Sequence, residues 1–121
     1  MPNRSAKGAR LQRLAREALE QVGYEVETAR PRIVWLGPKR PISVVTDFWS
    51  RIDLIAVHQA SAVKLVQVSV PSELSRKRKL LQGWQPFGCE VEVWIYHGGR
   101  GRRFRCYSAA SDFRAYTEWR L

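Results

Sequence analysis

Apolar positions recur along the chain at two periods and in two continuous runs, and each pattern predicts an element. Over residues 5–22, Leu11, Leu14, Ala15, Ala18, Leu19 and Val22 fall at i, i+3, i+4 and i+7, the period of a helix with one buried face. Gly23 follows as a natural C-cap. Residues 24–29 (YEVETA) alternate as a half-buried strand does. Two apolar runs, 52–57 and 63–70, are rich in β-branched residues and separated by a polar turn, which suits strands buried on both faces. Pro71 and Ser72 end the second run. Ser72 is the predicted N-cap of a helix over about 73–84, with Glu73 in its first turn and Leu74, Leu81 and Trp84 as anchors. Residues 89–96 alternate again, with Cys89, Val91, Val93 and Ile95 on one face. A glycine-rich turn over 97–101 leads into a strand over 102–107 with Phe104 and Cys106 inward. Phe113, Tyr116 and Trp119 predict a short helix over 111–120.

Residues 30–50 break this regularity. They hold three prolines, apolar bursts at 33–36 and 42–45, and a turn-like stretch at 37–41, which fits a hairpin or excursion inserted between core strands. The element order is helix, strand, insert, strand, strand, helix, strand, strand, helix. It predicts one α/β domain over residues 1–121, a mixed central sheet with helices on both faces.

Charge changes the picture. The 121 residues carry 21 Lys and Arg against 11 Asp and Glu, a formal net charge of +10. With 45% hydrophobic residues the chain is expected to fold, and a folded domain this basic points to a polyanion, nucleic acid first. No stretch approaches the roughly 20 apolar residues of a membrane span, and no signal peptide opens the chain, so a cytoplasmic protein with no membrane partner is expected. Cys89 and Cys106 lack CxxC spacing and are expected as reduced thiols, and the isolated His58 and His97 suggest no zinc site.

The cations fall into groups. Lys7, Arg10 and Arg13 lie opposite the apolar face of the first helix, either a solvated surface or one that approaches phosphates. In the insert, Arg30, Arg32, Lys39 and Arg40 alternate with Trp35, Phe48 and Trp49, as cations and rings do where phosphates and exposed bases are gripped. The same rings could instead close the core. The second predicted helix contains Arg76, Lys77, Arg78 and Lys79 in succession, and Arg100, Arg102, Arg103 and Arg105 make the late hairpin a further basic edge.

Polar side chains interrupt the two central runs: Asp53 in the first, Gln67 and Ser69 in the second, the latter two on one face of their strand. Buried polar groups cost free energy unless satisfied, which makes this the place to look for chemistry. With the element order, these residues give the chain a layout that resembles the PD-(D/E)xK nuclease superfamily, closest to the archaeal-type Holliday junction resolvases. The likeness runs from Lys7 to about Tyr107. The step Lys7-Gly8 matches the start of the family's first helix, where Gln12 stands in place of a glutamate. Asp53 in IDLIAV matches the family aspartate, and Gln67-Val68-Ser69 matches its ExK or QxK, with Ser69 in place of the lysine.

The resemblance implies a restriction-endonuclease-like fold, a magnesium ion held by Asp53 and Gln67 if the protein is active, and pairing as a homodimer. A metal would stabilise charge and activate the attacking water, and a lysine would support it. With Gln12 and Ser69 lacking charge, Lys64 or Lys77 would have to supply the ammonium, and Asp47 a second carboxylate. The expectation is a nucleic-acid-binding protein, DNA first, with cleavage weakened or lost. The alternatives are an active metal-dependent endonuclease on branched DNA and a protein-interaction module.

Overall fold

Alternation along the strands divides the apolar residues between two faces of one sheet, and each face is covered by a helix. The structure, a computed structural model, describes residues 4–29, 31–35, 38, 41–45, 48, 49 and 51–121, with the backbone alone described at 4–6, 31–35 and 41–45. Helix α1 (Arg4–Gln21) precedes strand β1 (Glu25–Thr28); β2 (Pro31–Trp35) and β3 (Pro41–Val45) follow. Then come β4 (Leu54–His58), β5 (Ser61–Ser69), α2 (Leu74–Leu81), β6 (Cys89–His97), β7 (Arg103–Ser108) and β8 (Tyr116–Arg120).

Six strands form a sheet in the order β1-β4-β5-β6-β7-β8. Its one parallel pair is β5–β6; the other neighbours run antiparallel. A parallel pair needs a crossover, and α2 supplies it. The inserted region forms a separate antiparallel pair, β2–β3. On one face Leu11, Ala15 and Leu19 of α1 pack on Val66, Val68 and Trp94. On the other, Leu81 of α2 joins Leu65, Val91, Val93 and Ile95. The molecule is therefore α/β, a mixed sheet with a helix on each face, as the hydrophobic pattern predicts.

Two local expectations are corrected. Ser72 does not cap α2. It lies inside a 3-10 turn, Pro71–Glu73, and Glu73 occupies the N-cap position without a side-chain cap bond. Pro71, with its fixed φ, starts that tighter turn directly at the strand end. Nor is the C-terminal segment a helix. After a 3-10 turn, Ala109–Ser111, the chain reverses through Asp112 and Phe113, both left-handed at φ 56° and 57°, and returns as β8 on the edge of β7. Phe113 packs in the core on the α2 side, whereas Trp119 lies against Trp94 on the α1 side, ring centroids 4.9 Å apart. One short helix facing a single side of the sheet could not send these two rings to opposite faces. A reversal followed by a strand rich in Tyr, Thr and Trp does.

Candidate functional site

Where β5 leaves the sheet, its polar residues meet the N-terminal half of α1 and the start of α2. The result is a cleft of about 550 Å³. Lys7, Gly8 and Gln12 line it from α1; Asp53, Gln67 and Ser69 form its floor. Glu73, Arg76 and Lys77 line it from the α2 side. The crevice beyond the carboxyl ends of parallel strands is the usual ligand position in open α/β sheets.

Asp53 is fixed by the sheet. Its N–H donates to the Val66 carbonyl at 2.9 Å, and its carbonyl accepts from the Ala29 N–H at 2.9 Å. Its buried carboxylate accepts from the Val68 N–H through Oδ2 at 2.8 Å. Gln67 is 1% exposed. Its Nε2 donates to the Arg51 carbonyl at 2.9 Å, while Oε1 is buried with no hydrogen-bond partner. A buried acceptor without a donor costs about 1–3 kcal/mol, and what would satisfy this oxygen is a donor hydrogen or a cation, not a phosphate oxygen. Ser69 is also buried. A Cβ added at Gly8 would meet nothing within 4 Å, so no packing demand requires glycine in this wall.

The expected site residues therefore separate by place. Gln12, Asp53, Gln67, Ser69 and Lys77 come together in the cleft, and Lys64 does not. Lys64 Nζ lies 2.8 Å from Glu90 Oε2 and 2.7 Å from Glu92 Oε2. Burial alone would lower its pKa, but these two carboxylates hold the ammonium above the ordinary lysine range. Glu92 is further engaged by the Trp94 indole N–H at 2.8 Å. Asp47 lies outside the described residues.

Of the expected phosphate contacts, Lys7, Arg76 and Lys77 line the cleft. Arg78 is turned into the fold and donates through Nη2 to the Phe113 carbonyl at 2.9 Å. Arg103 pairs with Glu118 at 3.2 Å, and Arg105 lies over the Tyr116 ring, 4.8 Å from its centroid. Arg10, Arg13, Lys79, Arg100 and Arg102 are exposed away from the cleft. Arg30, Lys39, Arg40 and the Arg32 side chain lie outside the described residues.

One charged cleft residue was not expected there. Glu73 brings a second carboxylate, its Oε2 2.6 Å from Arg76 Nη2. The available signal was its position four residues beyond Ser69, just past the proline that ends the strand. Among the described residues no three or more His, Cys, Asp or Glu side chains gather as a metal-binding group. No described helix is long and apolar enough to cross a membrane. The chain matches no protein-family model, no curated protein and no solved structure.

Proposed function

We propose that this chain is a nucleic-acid-binding domain, with DNA its ligand, that seats backbone phosphate in the cleft between α1 and α2 and has weakened or lost cleavage. One observation carries the reading: Lys7, Arg76 and Lys77 converge on a cleft whose floor holds Asp53, Gln67 and Ser69. Cations there would neutralise phosphate charge and release counterions. The chain's +10 charge would draw a polyanion toward the cleft over longer range.

Magnesium is the metal implied by the likeness to PD-(D/E)xK nucleases, and the donor set does not suit it. Magnesium is bound through one or two carboxylates with several waters. Here Asp53 already accepts from the Val68 N–H, Glu73 is paired with Arg76, and Gln67 offers only a neutral amide oxygen. Lys7, Arg76 and Lys77 add positive charge around them. The chain's own residues are better suited to holding phosphate than to activating water. The likeness of the layout to the resolvases further suggests pairing as a homodimer.

The test is binding and cleavage of labelled four-way junction, linear duplex and single-stranded DNA, with and without magnesium or manganese, beside Asp53→Asn. The expected result is salt-sensitive binding that needs no metal and no cutting by either protein. Metal-dependent cutting abolished by Asp53→Asn would replace this reading with an active endonuclease. Absence of binding would remove both, and a protein complex that survives nuclease treatment would favour an interaction module.

A further inference from the structure

Beside the cleft, the segment leading into β4 carries an aromatic surface that phosphate binding does not use. Phe48, Trp49 and Trp84 form a run of tilted rings, with centroids 6.3 Å apart for the first pair and 6.0 Å for the second. The Arg51 guanidinium lies over Trp84, 5.4 Å from the ring centroid, and its Nη1 donates to the Trp49 carbonyl at 3.4 Å. Phe48 and Trp84 are half-buried and packed against the core on the α2 side, so they are anchored. Trp49 is 60% exposed.

The backbone of Trp49 sharpens the point. Its φ is 53°, in the left-handed region that glycine enters without strain and bulky residues rarely occupy. Phe113 shares this conformation but buries its ring in the core, whereas Trp49 leaves its indole exposed. An exposed indole held in a strained turn is an outlier of the kind that clusters at ligand sites.

This surface adjoins the cleft. The Arg51 carbonyl accepts from Gln67 Nε2 at 2.9 Å, and Asp53, two residues further, lines the cleft floor. The rings do not line the cleft themselves; Arg51 links them to its floor, so a strand held by Lys7, Arg76 and Lys77 would have to extend past Gln67 to meet them. Each nucleobase has a π-face that stacks on indole, and an arginine adds cation–π attraction. Inside a duplex both faces are covered by neighbouring base pairs.

We propose that Trp49, backed by Trp84 and Arg51, is a stacking platform for an unpaired base of the nucleic acid bound in the cleft. The proposal rests on the cleft reading and narrows its ligand class: the preferred ligand carries unpaired nucleotides beside the phosphates that the cleft holds.

The experiment compares a dye-labelled oligothymidylate with a long linear duplex, by anisotropy at fixed salt, for the wild type, Trp49→Ala and Trp49→Phe. Circular dichroism verifies the fold of each. Trp49→Ala is expected to weaken oligothymidylate binding by about 5- to 150-fold, the range for loss of one base–aromatic stack. Duplex affinity should be unchanged, Trp49→Phe should retain most of the single-strand affinity, and the salt slope should stay constant because no charge is removed. Intact duplex binding with no selective loss on oligothymidylate would overturn the platform and leave the cleft reading standing. A wild type that binds neither ligand would overturn both. Self-association lost in Trp49→Ala, with oligothymidylate binding unaltered, would assign the surface to a contact between copies and overturn the proposal.

Discussion

Asp53 shows how one side chain can serve both fold and site. Its carboxylate accepts from the buried Val68 N–H on the neighbouring strand, so truncating it strands that donor. Asp53→Ala should therefore destabilise the domain by roughly 1–3 kcal/mol in urea unfolding, whereas Asp53→Asn, which keeps an acceptor oxygen, should lose less. Equal losses would mean that the hydrogen bond is not what anchors the floor. Cys106 gives a second check. Burial foremost, with the Glu92 charge adding and Lys64 opposing, pushes its thiol above the ordinary thiol range. The folded protein should therefore label at Cys89, half-buried at the start of β6, and label Cys106 only on unfolding. The sign of the linkage follows: the unfolded chain ionises Cys106 at lower pH than the folded one, so stability should fall as pH rises beyond the ordinary thiol range. Cys106→Ala should flatten that decline in an alkaline denaturation series. Asp53, Gln67 and Ser69 were legible because polar residues interrupt apolar runs. The fate of Lys64 was not, because its partners Glu90 and Glu92 lie on a strand whose parallel register, Lys64 opposite Glu90, no local pattern reveals.

At the scale of elements, the four consecutive cations of α2 face different surroundings. In sequence Arg76, Lys77, Arg78 and Lys79 look equivalent; on an eight-residue helix packed against a sheet they cannot be. Arg76 and Lys77 reach the cleft, Arg78 bonds inward to the Phe113 carbonyl, and Lys79 is exposed elsewhere. Lys77→Ala should lower the slope of log Kd against log salt by about 1 with little change in stability. Arg78→Ala should leave that slope unchanged and destabilise the fold by about 1–2 kcal/mol, since it removes a charged donor from a part-buried carbonyl. The reverse pattern would mean that the helix is rotated so that Arg78, not Lys77, meets the cleft. The C-terminal segment teaches the same lesson. Phe113, Tyr116 and Trp119 fit a helical spacing, but strand propensity and the open edge of β7 decide the outcome, and the left-handed turn at Asp112 and Phe113 carries no glycine to announce it.

For the molecule as a whole, the periodic pattern carried the architecture further than the chemistry. The pattern predicted a mixed sheet without assigning its pairs; the structure makes β5–β6 the parallel pair, crossed over by α2, and that places the cleft at the end of β5 and the start of α2. Net charge pointed to a polyanion without saying which surface meets it, because total charge is blind to pairing: Lys64 and Arg103 are held by carboxylates away from the cleft, while Arg76 pairs with Glu73 inside it and would have to exchange that carboxylate for phosphate. On the proposed reading, phosphate is held at one place, by Lys7, Arg76 and Lys77. The salt dependence of duplex affinity decides this, compared between the wild type and the triple variant Lys7→Ala, Arg76→Ala, Lys77→Ala. With each lost phosphate contact worth about 0.9 in the slope, the variant's slope should be shallower by about 2–3. A wild type that binds, paired with a variant of undiminished slope, would place the phosphates elsewhere on the protein and contradict the account.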